Sequence, residues 1–411
     1  MKKLPETLSY DDVTLAPSFS TLTSRKEAST KFDIYDLPIM VSCMDTLGKD
    51  LMECVTRKNI PFIAHRAFRS AEEQFNYFIP NNEFKEPFHI YQNIWWAVGS
   101  VLKYRTWIDY LYDKGVRKFC VDMAHGDSQA CIDTIKYIKN LDIEKRSEEE
   151  KNPEKHLTSF GGANVPLHII AGNVATAEGF KRLQEAGANG IRVGIASGSI
   201  CSTNIETAMG LPVLTSILEC MKVKKNETWL IADGGIRSAG DIAKAIYFGA
   251  DFAMIGKLFA ATDKACGNSY NINKELIEPG KEIYQQNLTV DDVYHAFILN
   301  GYSVNNFTPE FIQLMFNKYK VVYKGYHGMA SRAARENILS YAAVEGVEGL
   351  IKYSGTTEEF ITDTKLRLQA SLSYAGARNW EEFRKNAKAY KRSISGVHAA
   401  DVHMDILTKF H

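Results

Sequence analysis

The sequence predicts a (β/α)8 TIM barrel, and three observations carry the prediction. Short apolar runs alternate with amphipathic segments through much of the 411-residue chain, the pattern of strands and helices that builds a parallel sheet. The runs are apolar at consecutive positions, as strands covered on both faces must be. Polar and glycine-rich residues cluster where the runs end, and barrel active sites are assembled at the strand C-termini. An open doubly wound sheet would share the alternation. It would usually carry a GxGxxG after its first strand, and none is found there.

In chain order the runs are LPIMVSCM (37–44), PFIAH (61–65), KFCVDMAH (118–125), LHIIAGN (167–173), GIRVGIA (190–196), WLIADGG (229–235) and FAMIG (252–256). Between them lie helical patterns such as TAEGFKRLQEAG (176–187) and SAGDIAKAIYFG (238–249). Two segments interrupt the alternation. DIEKRSEEEKNPEK (142–155) is a mixed charge run, expected as a solvated loop or helix extension. Residues 263–321 hold helix-like stretches, TVDDVYHAFILNG and TPEFIQLMFNKY, each with a Thr placed as N-cap and acid in the first turn. They are expected as a helical insertion within a single catalytic domain spanning 1–411.

Composition excludes several classes. Lys plus Arg equals Asp plus Glu at 49 each, whereas nucleic-acid binding draws most of its affinity from a basic excess. A nucleic-acid partner is therefore not expected. The seven cysteines (43, 54, 120, 131, 201, 220, 266) form no CxxC pair, which argues against a disulfide framework or a zinc site and for a reducing compartment. MKKLPETLSYDD turns polar before an apolar core can form, unlike a signal peptide. No apolar stretch approaches the roughly 20 residues of a membrane span. The N-x-[ST] triplets at Asn226, Asn287 and Asn306 are read as chance matches, and the expected location is the cytoplasm.

The run GIRVGIA leads into SGSICSTN. A strand end followed by Gly198 and Ser199 offers backbone N–H groups and a hydroxyl to an anion. Cys201 stands beside that pocket, with the Thr203 hydroxyl close by. For an isolated cysteine the ordinary role is a small buried hydrophobe. In this polar, glycine-rich setting a reactive thiol is an equal alternative, and local chemistry leaves the two level.

The run GIASGSICST resembles the catalytic loop of the IMP dehydrogenase/GMP reductase family, close to GIGPGSxCTTR. LSYDDVTLAPSFSTLTSR (8–25), PIMVSCMDT (38–46), VDMAHGDS (121–128), IIAGNVATAEG (169–179), IADGGIRSAGDIAKAI (231–246) and YHGMAS (326–331) resemble further family motifs in the family's order. The resemblance covers most of 8–262 and 322–405. It implies that Cys201 attacks C2 of a purine nucleotide, GMP or IMP, with hydride passing between that carbon and a nicotinamide, NADPH or NAD. It also implies roles for individual residues. Asp233 holds the ribose hydroxyls. Ser199, Gly235, Gly256 and Tyr326 hold the 5′-phosphate. Ser42, Met44, Gly328, Met329 and Gly346 meet the base. Asp122, Asn173 and Gly194 lie near the nicotinamide and its ribose. Carbonyls of Ala196, Gly198 and Cys201 hold potassium. His125 is read as a strand-end polar residue rather than a metal ligand. A homotetramer is the family's usual assembly.

Within the family the sequence leans toward GMP reductase. IMP dehydrogenase hydrolyses a thioimidate with an Arg-Tyr pair on a long flap, but only GMASRAARENILSYAAVEG separates Gly328 from Gly346, with no adjacent Arg-Tyr. Thr203 and Glu345 match the reductase's pair for the departing amine, a task for general acid/base groups. No CBS-type regulatory insertion lies between PFIAH and VDMAH. IADGGIRSAGDIAKAI, VEGVEG and SGVHAADVHMD read closer to the dehydrogenase, which stays as the alternative. A purine-nucleotide scaffold or sensor with little turnover is the alternative of another class. Departures from the family pattern fall at GIASG, at Asn204 and Lys257, and at Arg66 in place of a lysine.

Overall fold

A computed structural model describes residues 4–80, 92–151, 165–198, 201–284, 314, 316–327 and 348–393. The N-terminal strand Val13–Ala16 (β1) lies outside the barrel. Eight parallel strands then follow: Ile39–Val41 (β2), Phe62–Ala64 (β3), Ile94–Val98 (β4), Lys118–Asp122 (β5), His168–Val174 (β6), Gly190–Val193 (β7), Trp229–Asp233 (β8) and Phe252–Ile255 (β9). Each pairs with the next. β9 returns to β2 with Met40 opposite Met254, so the barrel closes as expected. Seven strands coincide with the runs named from sequence, β6 running one residue past its run to Val174. The eighth, β4, matches none of them: IWWAV (94–98) follows a polar stretch.

Period-two alternation explains the strands. Met40, Ile63, Trp95, Ala97, Cys120, Ile170, Ile231, Phe252 and Met254 point into the barrel. Their neighbours, such as Ile39, Val41, Phe62, Ile169 and Leu230, pack against the helix layer. Each fully buried large side chain contributes about 1.5–3 kcal/mol. An aromatic cluster plugs the floor, with Trp229 and Tyr35 set 4.9 and 5.5 Å from Phe252 between ring centroids. The interior is therefore free only at the strand C-terminal end.

Helices Lys49–Arg57 (α1), Ala71–Phe78 (α2), Val101–Asp113 (α3), Gln129–Lys151 (α4), Ala177–Ala186 (α5), Thr203–Thr207 (α6), Val213–Met221 (α7), Ala239–Tyr247 (α8), Lys257–Ala260 (α9), Thr357–Tyr374 (α10) and Trp380–Asn386 (α11) alternate with or follow these strands. α5 starts where the Thr176 hydroxyl accepts from the Gly179 amide and stops at Gly187, in the left-handed region at φ 101°. The charge run at 142 is a helix extension as far as Lys151, because α4 continues through it. Asp142 anchors that extension by accepting from Tyr112 at 2.7 Å and Arg146 at 2.9 Å.

Beyond α9 the chain forms Ser269–Tyr270 (β10), Tyr323–His327 (β11) and Glu348–Lys352 (β12), an antiparallel sheet in that order. Residues 263–284 are strand and turn, so the expected helical character does not extend to them. TVDDVYHAFILNG (289–301) lies outside the described residues, and of TPEFIQLMFNKY the helical residues described are 314 and 316–319. The last strand, Lys388–Lys391 (β13), pairs antiparallel with β1, Val13 opposite Lys391. Among the described residues no helix is long and apolar enough to cross a membrane.

Candidate active site

At the open end of the barrel lies a cavity of about 570 Å³, within the size range of small-molecule sites. Its walls come from the ends of several strands, which is how a barrel gathers chemistry from distant parts of the sequence. Of the residues named from sequence, Ser42, Met44, Asp122, Gly198, Cys201, Asp233, Gly235, Gly256 and Tyr326 line it. Asn173, Gly194, Ala196 and Thr203 are described but are not among its lining residues. Ser199, Gly328, Met329, Glu345 and Gly346 lie outside the described residues.

Cys201 is half-buried, and its Sγ lies 3.2 Å from the Thr203 hydroxyl at the start of α6. Its amide donates to the Gly198 carbonyl at 3.1 Å. The loop is held to β8 by the Ser197 hydroxyl, which donates to the Asp233 carbonyl at 2.8 Å. Close approach explains two glycines here. A Cβ on Gly194, at φ 141°, would sit 2.0 Å from the Asp233 carbonyl oxygen, and one on Gly234, at φ 98°, would sit 2.3 Å from Ser197 Oγ.

Asp233 and Asp122 are joined through Arg192. This guanidinium donates to Asp233 Oδ2 at 2.9 and 3.1 Å and to Asp122 Oδ1 at 2.6 Å. Arg66 adds a 3.2 Å contact to Asp122 Oδ2, and Asn173 donates 2.8 Å bonds to Asp233 Oδ2 and the Gly194 carbonyl. Burial would raise the Asp122 pKa, but the guanidinium cations of Arg192 and Arg66 together hold the carboxyl below its ordinary range. Burial alone would lower the Arg192 pKa, but the surrounding anionic groups raise it well above its usual value. Among the described residues no hydrogen bond uses Asp233 Oδ1, so one oxygen is anchored and the other is left to accept from a ligand.

Sequence reasoning passed over Arg192, Cys43 and Tyr10, all of which line the cavity. A signal for Arg192 existed: a lone arginine inside an otherwise apolar strand, GIRVGIA, must meet buried carboxylates. Cys43 had no comparable mark. Its thiol touches Asp122 Oδ1 and Arg192 Nη1, each at 3.4 Å, a placement that only the closed barrel creates.

A family model described as the IMP dehydrogenase / GMP reductase domain matches residues 150–278 and 311–403, more than half of the chain. The chain belongs to the IMP dehydrogenase/GMP reductase family. An inosine-5′-monophosphate dehydrogenase of Chlorobaculum parvum is 32% identical over 314 residues, which cover 76% of this chain and 53% of that protein. An inosine-5′-monophosphate dehydrogenase of Aquifex aeolicus is 29% identical over 419 residues, 98% of this chain and 66% of its own. A GMP reductase of Lactobacillus johnsonii is 29% identical over 388 residues, covering 92% of this chain and 93% of its own. This family member thus spans about half to two thirds of the dehydrogenases and nearly all of that reductase, at similar identity to both.

Proposed function

We propose that this family member is a GMP reductase, converting GMP to IMP and ammonia with NADPH. The observation that carries the reading is the Cys201–Thr203 pair, 3.2 Å apart at the wall of the cavity. Cys201 as thiolate adds to C2 of the purine. The C2–N bond breaks, and Thr203, with Glu345 as the resemblance places it, delivers the proton that lets the amine leave as ammonia. The nicotinamide, when bound, supplies a hydride to the same carbon. The C2–S bond then breaks, returning the thiolate and releasing IMP. Asp233 Oδ1 accepts from the ribose hydroxyls. Gly235, Gly256 and Tyr326, with Ser199, cradle the phosphate, while Ser42 and Met44, with Gly328, Met329 and Gly346, frame the base.

Asp122, Asn173 and Gly194 would hold the nicotinamide ribose. The fit is favourable because Asp122 reaches the cavity while Arg192 and Arg66 fix its orientation. A potassium ion would take carbonyls of Ala196, Gly198 and Cys201. Ala196 adopts φ 61°, and the Gly198 oxygen keeps one lone pair after accepting the Cys201 amide. A homotetramer is proposed from the family's usual assembly. The similar identity to inosine-5′-monophosphate dehydrogenases supports a second reading, NAD-dependent oxidation of IMP to XMP. Purified protein separates the readings. NADPH loss with GMP is expected; NADH appearance with IMP would favour the second, and nucleotide binding without either would make the protein a scaffold or sensor.

A further inference from the structure

Two contacts tie the end of β11 to the loop after β2. Tyr326 Oη lies 3.4 Å from Met44 Sδ, and both residues line the cavity. One residue further along each segment, His327 Nε2 and Asp45 Oδ2 are 2.8 Å apart. Their side chains are only 23% and 12% exposed, so solvent screens the contact less than at an open surface. The other carboxylate oxygen, Asp45 Oδ1, is buried and has no hydrogen-bond partner among the described residues. His327 therefore carries the side-chain compensation for this carboxylate there.

We infer that His327 is a positioning residue for the nucleotide: as imidazolium it clamps Asp45, and the clamp sets the cavity wall formed by Tyr326 and Met44. The inference deepens the proposed function and rests on it for the identity of the ligand. The electrostatic surroundings are consistent with it. The hydrogen bond to the Asp45 carboxylate raises the His327 pKa above its ordinary value, burial opposes, and the charges of Asp45 and Glu348 add to the rise. Glu348 stands directly opposite His327 in the β11–β12 register. On the other side, Asp45 acts on His65 and on Cys266, whose thiol donates to the Asp45 carbonyl at 3.0 Å. Lys324, three residues back on β11, is turned toward Ser269 and Tyr284 instead.

The sign follows from the raised pKa. The clamp is complete below the unfolded-state value of about 6.5 and is lost as pH rises through the higher folded-state value. The test is KM and kcat for GMP and IMP from pH 6 to 9 in wild type, His327→Gln, His327→Arg and Asp45→Asn. Ratios between variants cancel the ligand's own titration. Wild-type KM is expected to rise about tenfold relative to His327→Arg across that range, as for loss of one partly buried charge-assisted bond, with kcat following one curve in both. His327→Gln should show the raised KM at every pH, and His327→Arg should remain tight throughout because its charge persists. A wild-type profile matching that of His327→Gln would overturn the clamp, as would a KM in His327→Arg no tighter than in His327→Gln. Should wild type turn over neither nucleotide, the proposed function fails, and proton NMR of the imidazole still decides the pair. A midpoint above 6.5 that falls in Asp45→Asn supports the clamp; a midpoint at or below 6.5 sinks it.

Discussion

Cys201 and Arg192 stand in contrasting settings at the scale of single residues. The sulfur sits at the cavity wall beside a hydroxyl, while the guanidinium is buried and fixes the two carboxylates. Replacing Cys201 by Ser should abolish turnover while leaving nucleotide binding intact, since serine keeps the shape but not the thiolate. Full retained activity in an NADPH-oxidation assay would remove the nucleophile assignment. Arg192→Leu tests the other role. It leaves Asp122 and Asp233 without their shared cation, and breaking such a buried pair costs about 3–5 kcal/mol. A drop of that size in urea unfolding is expected, together with loss of nucleotide affinity; unchanged stability would show that Arg66 and Asn173 suffice.

The loop after β7 determines most of the site at the scale of elements. Strand β7 delivers Arg192 into the barrel and then turns through Gly194 toward Cys201, pressed against the end of β8. Adding a methyl group at Gly194 strains a positive φ and drives Cβ into the Asp233 backbone. Gly194→Ala should therefore lower kcat/KM by roughly a hundredfold, since misplacement by about 1 Å has that effect. The barrel itself should survive, because β7 and β8 pair below the loop. Far-ultraviolet circular dichroism with steady-state kinetics checks both halves of the expectation.

At the scale of the whole molecule, the barrel's burial of histidine is expected to make stability fall with acid. His65 is 4% exposed, stacked on Phe68 and accepting the Ala67 amide at Nδ1, 3.3 Å away. Burial lowers its pKa to about 4, with Asp45 opposing. The unfolded chain therefore takes up this proton near pH 6.5 and the folded chain only near pH 4. The stability it supplies is fully present above 6.5 and is lost as pH falls through that window. The slope should approach about 1.4 kcal/mol per pH unit for this group. Burial likewise lowers the His168 pKa to about 3 and adds a slope of the same sign, so urea unfolding at pH 7, 6 and 5 should show a decline that His65→Gln reduces by one proton's share. An equally steep decline in that variant would assign the effect to other groups.

The sequence by itself determined the barrel class, seven of its eight strands and the family, because strand periodicity and loop motifs are local properties written in consecutive residues. It also placed nine cavity-lining residues, Cys201 and Asp233 among them. Tertiary structure alone decided what those residues do to one another. Cys43, Asp122, Arg192 and Asp233 lie on four different strands or strand ends, and only closure of the barrel brings them within hydrogen-bonding distance. The sheet β10–β11–β12 was invisible for the same reason: two-residue β10 finds its partner Tyr323–Lys324 more than fifty positions away. No local pattern encodes a contact of that range. Cys201 was legible as a candidate through the loop's resemblance to the family, and the charge network around Arg192 was created by folding.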